Sequence, residues 1–281
     1  MAKTRISVVQ YLNAVPLAWG ILEGPQNELF EAVYSTPSEC AAQLAAGKVD
    51  IGLIPSIEYQ RIPGCRIIPG PVVASRHRAA SVLLLSKVPL SKVRSVACDS
   101  GSRTSVALTR VILNAYYRNK PKFSEADPDP ERMLAEHDAA LLIGDVALAF
   151  KAANRFSTSS RVSDFQQQGP EAIQVFDLAE RWSNLTGLPF VFAFWAARKG
   201  FTDRSVVDSL VDSRAFGLAN LDTIATRYAE TLALDRELVS QYLEKNMDYH
   251  MDVDGVEALH QFYSRAAQAG AIKSGRGIEF L

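Results

Sequence analysis

Cysteine and histidine are scarce in this sequence, and neither is spaced for chemistry. The three cysteines, Cys40, Cys65 and Cys98, stand far apart in 281 residues. An odd, dispersed set forms no disulfide framework, and no pair has the spacing of a zinc or redox motif. A reducing, cytoplasmic compartment is expected. The four histidines, His77, His137, His250 and His260, show no metal-ligand pattern either. No metal site is expected. Neither sign of charge dominates: 30 Lys and Arg face 31 Asp and Glu, a net charge of -1. That excludes a nucleic-acid binder working through a generally basic surface and leaves room only for a local basic patch. Long apolar runs are missing too. GLPFVFAFWAA, from Gly187, falls far short of the ~20 residues that a membrane span needs. Ile6 to Leu22 is uncharged and follows Lys3 and Arg5, as in a secretion signal. Gln10, Asn13 and Pro16 interrupt it, however, and no A-x-A cleavage site follows. The expectation is a cytoplasmic protein without a leader or membrane segment.

What is present is the composition of a folded protein, 48% hydrophobic and 22% charged. The length suits one large domain or two lobes of ordinary size. The first part alternates strands and helices. RISVV reads as a strand running into the turn YLNAVPL, and FEAVYS as a second strand ending at Ser35. Thr36, Pro37 and Glu39 then spell a capping box with proline at the first helical position, where its missing N–H costs nothing. The helix that follows buries Cys40, Ala41 and Leu44 and stops at Gly47. IGLIP and SVLLLS are apolar on both faces, as strands inside parallel sheets are. A new unit starts near Val93. SVACD is a strand, SGSR a turn, and Thr104 to Tyr117 a helix with an apolar face of Val111, Ile112 and Ala115. KPKFSEADPDP reads as a charged loop, AALLIGD repeats the strand-to-turn pattern, and 154–170 reads as a polar surface loop. Helices are expected over 203–216, 219–232, 235–246 and 253–269. No sequence repeat is evident.

Alternating strands and helices imply an α/β protein with a mainly parallel sheet, and ligands bind such sheets beyond the carboxyl ends of the strands. Four strand ends carry polar turns: Asn13, Ser56 with Glu58, Ser100 to Ser105, and Gly144 with Asp145. If they converge, they line a cleft. DSGSRTSVAL says the most. A strand delivers the chain to a small-residue turn where a helix starts, so free N–H groups and the positive end of the helix dipole face any anion. Ser102, Thr104 and Ser105 add hydroxyls, and Arg103 a fixed charge. The alternative is an ordinary Ser/Thr helix cap. The segment is neither a Walker loop nor a dinucleotide fingerprint, and neither G-x-S-x-G nor H-E-x-x-H occurs. The RHR cluster from Arg76 to Arg78 reads as a solvated surface patch, and Phe190, Phe192, Phe194 and Trp195 as core. Glu58 and Asp145 suit helix capping at least as well as catalysis.

Together and in this order, QYLNAVPL, PSECAAQLAAGKVDIGLIPSIEY, DSGSRTSVAL, AALLIGDVAL and LTGLPFVFAFWA resemble the chorismate dehydratases of the futalosine route to menaquinone. The resemblance runs from about Ile6 to Arg198 and more loosely through the C-terminal helices. It implies a two-lobed type II periplasmic-binding-protein fold with a cleft between the lobes. One lobe would be residues 1–87 plus 192–281 and the other 88–191, with crossings near SKVPLSKV and LPFVFAFW. The implied reaction converts chorismate to 3-[(1-carboxyvinyl)oxy]benzoate and water, without metal or cofactor. Asn13 matches the family's active-site asparagine, and Ser102, Arg103, Thr104 and Ser105 match its anion-binding turn. Gly144 and Asp145 match the strand-end pair, and Ser56 and Ser81 would line the cleft. No base is visible. The substrate's enolpyruvyl carboxylate is the expected proton acceptor, with Asp145 or Glu58 the rival.

Two alternatives stand beside this. One is the sister enzyme 1,4-dihydroxy-6-naphthoate synthase, which carries a histidine in an I-H-E context where this chain reads IGDVAL. The other is a transport-type binding protein that only holds a small anion. The expected partner is a small molecule, not nucleic acid or membrane, and a homodimer is left open.

Overall fold

The computed structural model describes residues 3–99, 101–154 and 173–281. The polar loop expected over 154–170 lies, apart from Asn154, outside them, as does Ser100. The described residues form two α/β lobes, each built on one sheet.

The first sheet holds β1 (Thr4–Val9), β2 (Phe30–Ser35), β3 (Ile51–Pro55), β4 (Arg66–Ser75), β10 (Phe190–Ala197) and β11 (Asp248–His250). The second holds β5 (Val82–Ser86), β6 (Ser95–Cys98), β7 (Lys122–Glu125), β8 (Ala139–Ile143) and β9 (Gln174–Asp177). Their orders are β11-β4-β10-β3-β1-β2 and β7-β6-β8-β5-β9. In each sheet three neighbouring strands run parallel, and the strand that enters from the other lobe lies antiparallel among them. β5 pairs antiparallel with β8 and β9, and β10 with β3 and β4.

The α-helices among the described residues are α1 (Val15–Leu22), α2 (Pro37–Ala45), α3 (Arg103–Tyr117), α4 (Pro130–Glu136), α5 (Gly144–Asn154), α6 (Leu178–Thr186), α7 (Ser205–Ala219), α8 (Leu221–Leu232), α9 (Arg236–Gln241) and α10 (Val253–Gln268). The capping box forms as the sequence demands. The Thr36 side chain accepts from the Glu39 N–H, and the Glu39 carboxylate accepts from the Thr36 N–H at 2.8 Å. Cys40, Ala41 and Leu44 are buried. β3 is buried at every position and β8 at four of five, which is why both sit inside their sheets. The aromatic run of β10 is core: Phe190 packs edge-on to Trp182 and Phe262, with centroids 5.4 and 4.9 Å away.

Several expectations need correction. β5 belongs to the second sheet, so the first crossing lies between Ser75 and Val82 and not at residue 87. An all-apolar strand suits either sheet, and only its pairing with β8 and β9 assigns it. KPKFSEADPDP is not a loop throughout. It contains β7, an exposed edge strand, and leads into α4, whose N-cap Asp129 accepts from the Glu131 and Arg132 N–H groups. YLNAVPL does not end in a turn but opens α1. Ala115 is exposed, and the buried face of α3 is completed by Leu108 and Leu113. The helix expected over 235–246 changes to a π turn over 242–246.

The first crossing is held firmly. Asp177 is buried and accepts from four N–H groups: Ala79 (3.3 Å) and Ala80 (2.7 Å) in the crossing, and Ala179 (3.0 Å) and Glu180 (3.2 Å) in the first turn of α6. Ala80 takes a left-handed φ of 63° there, a conformation that costs a non-glycine residue ~1 kcal/mol or more. The Asp177 clamp offsets that cost and fixes where Ser81 sits.

Candidate active site

The four strand ends do converge. β1, β3, β6 and β8 deliver their carboxyl ends to one cleft between the lobes, with a free volume of about 70 Å³. Asn13, Ser102, Arg103, Thr104, Ser105 and Gly144 all line it. Apolar walls come from Val9, Leu53, Val73 and Phe192 among others. Among these lining residues Arg103 is the sole formal charge, and no carboxylate or imidazole is present.

The anion-binding end is the start of α3. Ser102 N–H bonds Asp99 C=O, and Val106 N–H bonds Ser102 C=O. The N–H groups of Thr104 and Ser105, in the first turn of α3, have no partner among the described residues, and both residues line the cleft. The hydroxyls divide. Ser102 Oγ donates to Asp99 C=O at 2.8 Å, and Thr104 Oγ1 accepts the Ile57 N–H at 3.2 Å from the opposite lobe. The Ser105 hydroxyl has no partner among the described residues, so it remains available to a ligand. Arg103 pairs with Glu58 at 3.1 Å across the cleft and keeps 43% of its side chain exposed.

Three expected site residues stand behind the lining. Ser56 is fully buried, and its hydroxyl donates to Val191 C=O at 2.8 Å, tying the end of β3 to β10. Ser81 is fully buried and bonded to Tyr242 at 2.8 Å. The Asp145 carboxylate accepts the Leu12 N–H at 3.1 Å, bridging the lobes one residue before Asn13. Burial pushes its pKa up to about 6, partly offset by that hydrogen bond. Glu58 is buried between Arg61 and Arg103, both of its oxygens engaged. RHR is a surface network: Arg76 pairs with Asp248 (2.8 Å) and Asp252 (2.6 Å), and Arg78 with Glu180.

Two tyrosines that sequence reasoning misses complete the site. Tyr11 lines the cleft, its ring lying against Gly144. Gly144 has a φ of +58°, where glycine is favoured, and a Cβ there would come within 3.1 Å of the Tyr11 ring, which would have to give by a few tenths of an ångström. Burial, then the nearby Asp99 and Asp145, push the Tyr11 phenol up to about 12. Tyr11 stands two residues before Asn13 at the same strand end, and that proximity is a signal that could flag it. Tyr242 comes from the π turn, far away in sequence, and no local pattern points to it.

Two lobes joined by two crossings, with an open helix start in the cleft between them, define a two-lobed ligand-binding architecture, the periplasmic-binding-protein fold. The periplasmic aliphatic sulphonate binding protein of Escherichia coli shares it with a TM-score of 0.63 at 15% identity, over 99% of this chain and 96% of that one. A crystal structure of a protein from Archaeoglobus fulgidus gives 0.70 at 19% identity, covering 96% of this chain and 98% of that one. Sequence comparison narrows the class. The profile described as menaquinone biosynthesis matches residues 4–268, and the chain belongs to that family. A chorismate dehydratase from Thermus thermophilus is 30% identical over 250 residues, 88% of this chain and 89% of that protein.

Proposed function

We propose that this protein removes water from chorismate to give 3-[(1-carboxyvinyl)oxy]benzoate, a hydro-lyase step of the futalosine route to menaquinone. The observation that carries the reading is the cleft's inventory: anion donors at the start of α3, a carboxamide at Asn13, and no carboxylate or imidazole among the described lining residues. Chorismate brings two carboxylates. The ring carboxylate sits at the Thr104 and Ser105 amides, the Ser105 hydroxyl and Arg103. Loss of the C3 proton delocalises charge through the diene onto that carboxylate, where the fixed N–H dipoles stabilise it. The C4–O bond then breaks, the ring becomes aromatic, and hydroxide leaves with a proton as water.

The enolpyruvyl carboxylate, tethered beside C3, takes the proton, and the cleft's work is to hold it in reach. Support comes from the rival groups. Both Glu58 oxygens are in ion pairs, and Asp145 stands behind the lining with Oδ1 bonded to Leu12. A 30% identical chorismate dehydratase and the family match point the same way. A cytoplasmic location goes with this reading, as do three free, buried cysteines.

The test is purified protein with chorismate alone. The expected product is an aromatic ether one water lighter, identified by mass and ultraviolet spectrum. Binding of chorismate without loss of water would leave a binding protein. Turnover of the cyclic futalosine-derived compound instead would make it the sister enzyme. Activity abolished by a chelator would reveal a metal requirement.

A further inference from the structure

Arginine binds a carboxylate best edge-on, through two parallel N–H groups of its rigid fork. What matters is which edge it presents and whether the long side chain is held. Arg103 lines the cleft from the second lobe, and its partner comes from the first: Nη1 donates to Glu58 Oε2 at 3.1 Å. Nε and Nη2 make no hydrogen bond among the described residues, so one edge of the fork is left over. Glu58 is suited to hold the other arm still. It keeps 5% of its side chain exposed, and its second oxygen accepts from Arg61 Nη1 at 2.5 Å. Two guanidinium groups around one carboxylate leave the cluster net positive, so Glu58 does not cancel the attraction that Arg103 offers an anion. The short turn that carries Glu58, Ser56–Gln60, is pinned from behind. Ser56 donates its hydroxyl to Val191 C=O on β10 and accepts at its carbonyl from the Tyr263 hydroxyl of α10, both at 2.8 Å. Tyr59 C=O accepts from Arg276 Nε at 3.0 Å, and the Arg276 guanidinium lies 3.7 Å from the Tyr59 ring centroid. In front, the Ile57 N–H reaches Thr104, the residue after Arg103.

We propose that Glu58 is a positioning residue: from the first lobe it grips one arm of Arg103 and turns the free Nε–Nη2 edge toward the substrate's ring carboxylate. Glu58 and Arg103 belong to different lobes, so the grip exists only while the lobes are together. The site is then complete for a carboxylate only on closure. The identity of that carboxylate rests on the dehydration reading above.

Glu58→Gln keeps the shape and loses the charge. Its KM for chorismate should rise about tenfold with kcat little changed, the difference that a charge makes to one hydrogen bond. An unchanged or lower KM would overturn the proposal, as would a kcat loss of ~10²–10⁴-fold, the mark of a general base. In an Arg103→Ala background the same change should cost nothing further, because Glu58 acts through Arg103. Independent, additive losses would overturn the proposal. Arg103→Lys leaves Glu58 and its pair with Arg61 untouched and keeps the cation, but a lysine has no second edge to present. Its KM should rise nearly as far as that of Arg103→Ala, and a wild-type KM would show that charge alone suffices and that nothing is aimed. A readout without turnover separates this proposal from the dehydration reading. The ether product keeps both carboxylates, and its affinity by calorimetry should fall about tenfold in Glu58→Gln. If chorismate is not dehydrated but that affinity falls, the reaction is wrong and the positioning role stands. If chorismate is dehydrated and the affinity is the same in both proteins, the positioning role falls alone.

Discussion

Asp145→Asn separates a structural carboxyl from a catalytic one. The wild-type group bridges the lobes through the Leu12 N–H, and burial raises its pKa from 3.8 to about 6. A carboxyl with a folded pKa above its unfolded value binds more protons in the native state, so the stability it contributes is present below about pH 4 and is lost as pH rises through about 6. At ~1.4 kcal/mol per pH unit the rise corresponds to about 3 kcal/mol at most. The carboxyl is only half-buried, and solvent screening reduces this to about 1–2 kcal/mol. Asparagine keeps the oxygen that accepts from Leu12 and cannot ionise. In urea denaturation the variant should therefore gain on wild type by about 1–2 kcal/mol between pH 4 and pH 7.5. A stability gap that is the same at both pH values would refute the reasoning. The same variant tests the rival base. Its turnover should stay within about tenfold of wild type, whereas a general base contributes ~10²–10⁴-fold. A loss of that size in a folded variant would make Asp145 the proton acceptor.

Arg103→Ala should raise KM by roughly tenfold to a hundredfold, since a charge-assisted hydrogen bond contributes ~1.5–3 kcal/mol. Its melting temperature should hardly move, because Glu58 keeps Arg61; an unchanged KM with a lower melting point would make Arg103 structural. Gly217→Ala should destabilise by several kcal/mol in thermal melts, because a Cβ on α7 would lie 1.9 Å from Pro16 C=O on α1. Wild-type stability there would mean that the two helices pack less closely. Ligand should close the lobes: scattering at saturating product should give a smaller radius of gyration than the free protein, and an unchanged profile counts against hinge closure.

Features governed by neighbours in the chain are legible in the sequence. The Thr36 capping box, the all-apolar IGLIP and AALLI strands and the open start of α3 are local matters of hydrogen bonding and periodicity. The convergence of the strand ends is not local: β1 and β3 belong to one sheet and β6 and β8 to the other, and only the packing of the two lobes brings them together. The direction of a hydroxyl is not legible. Ser56 and Ser81 stand at strand ends like Ser105, yet their hydroxyls go to Val191 C=O and Tyr242, partners supplied by the other crossing strand and the π turn. β7 gives no signal because an exposed edge strand has no apolar alternation. The lobe to which VLLLS belongs is a question of pairing, and pairing leaves no mark on an evenly apolar run.

The placement of β10 also bears on how the chain is made. The five strands of the second sheet lie in one continuous stretch, from Val82 to Asp177, and can pair as soon as they leave the ribosome. The first sheet cannot. β3 and β4 are synthesised early, yet the strand that belongs between them is β10. Until it emerges, both present open backbone edges, the kind of surface on which nascent chains stick to one another. The lobe begun first is therefore finished last, and its open edges stay exposed while the second lobe is translated.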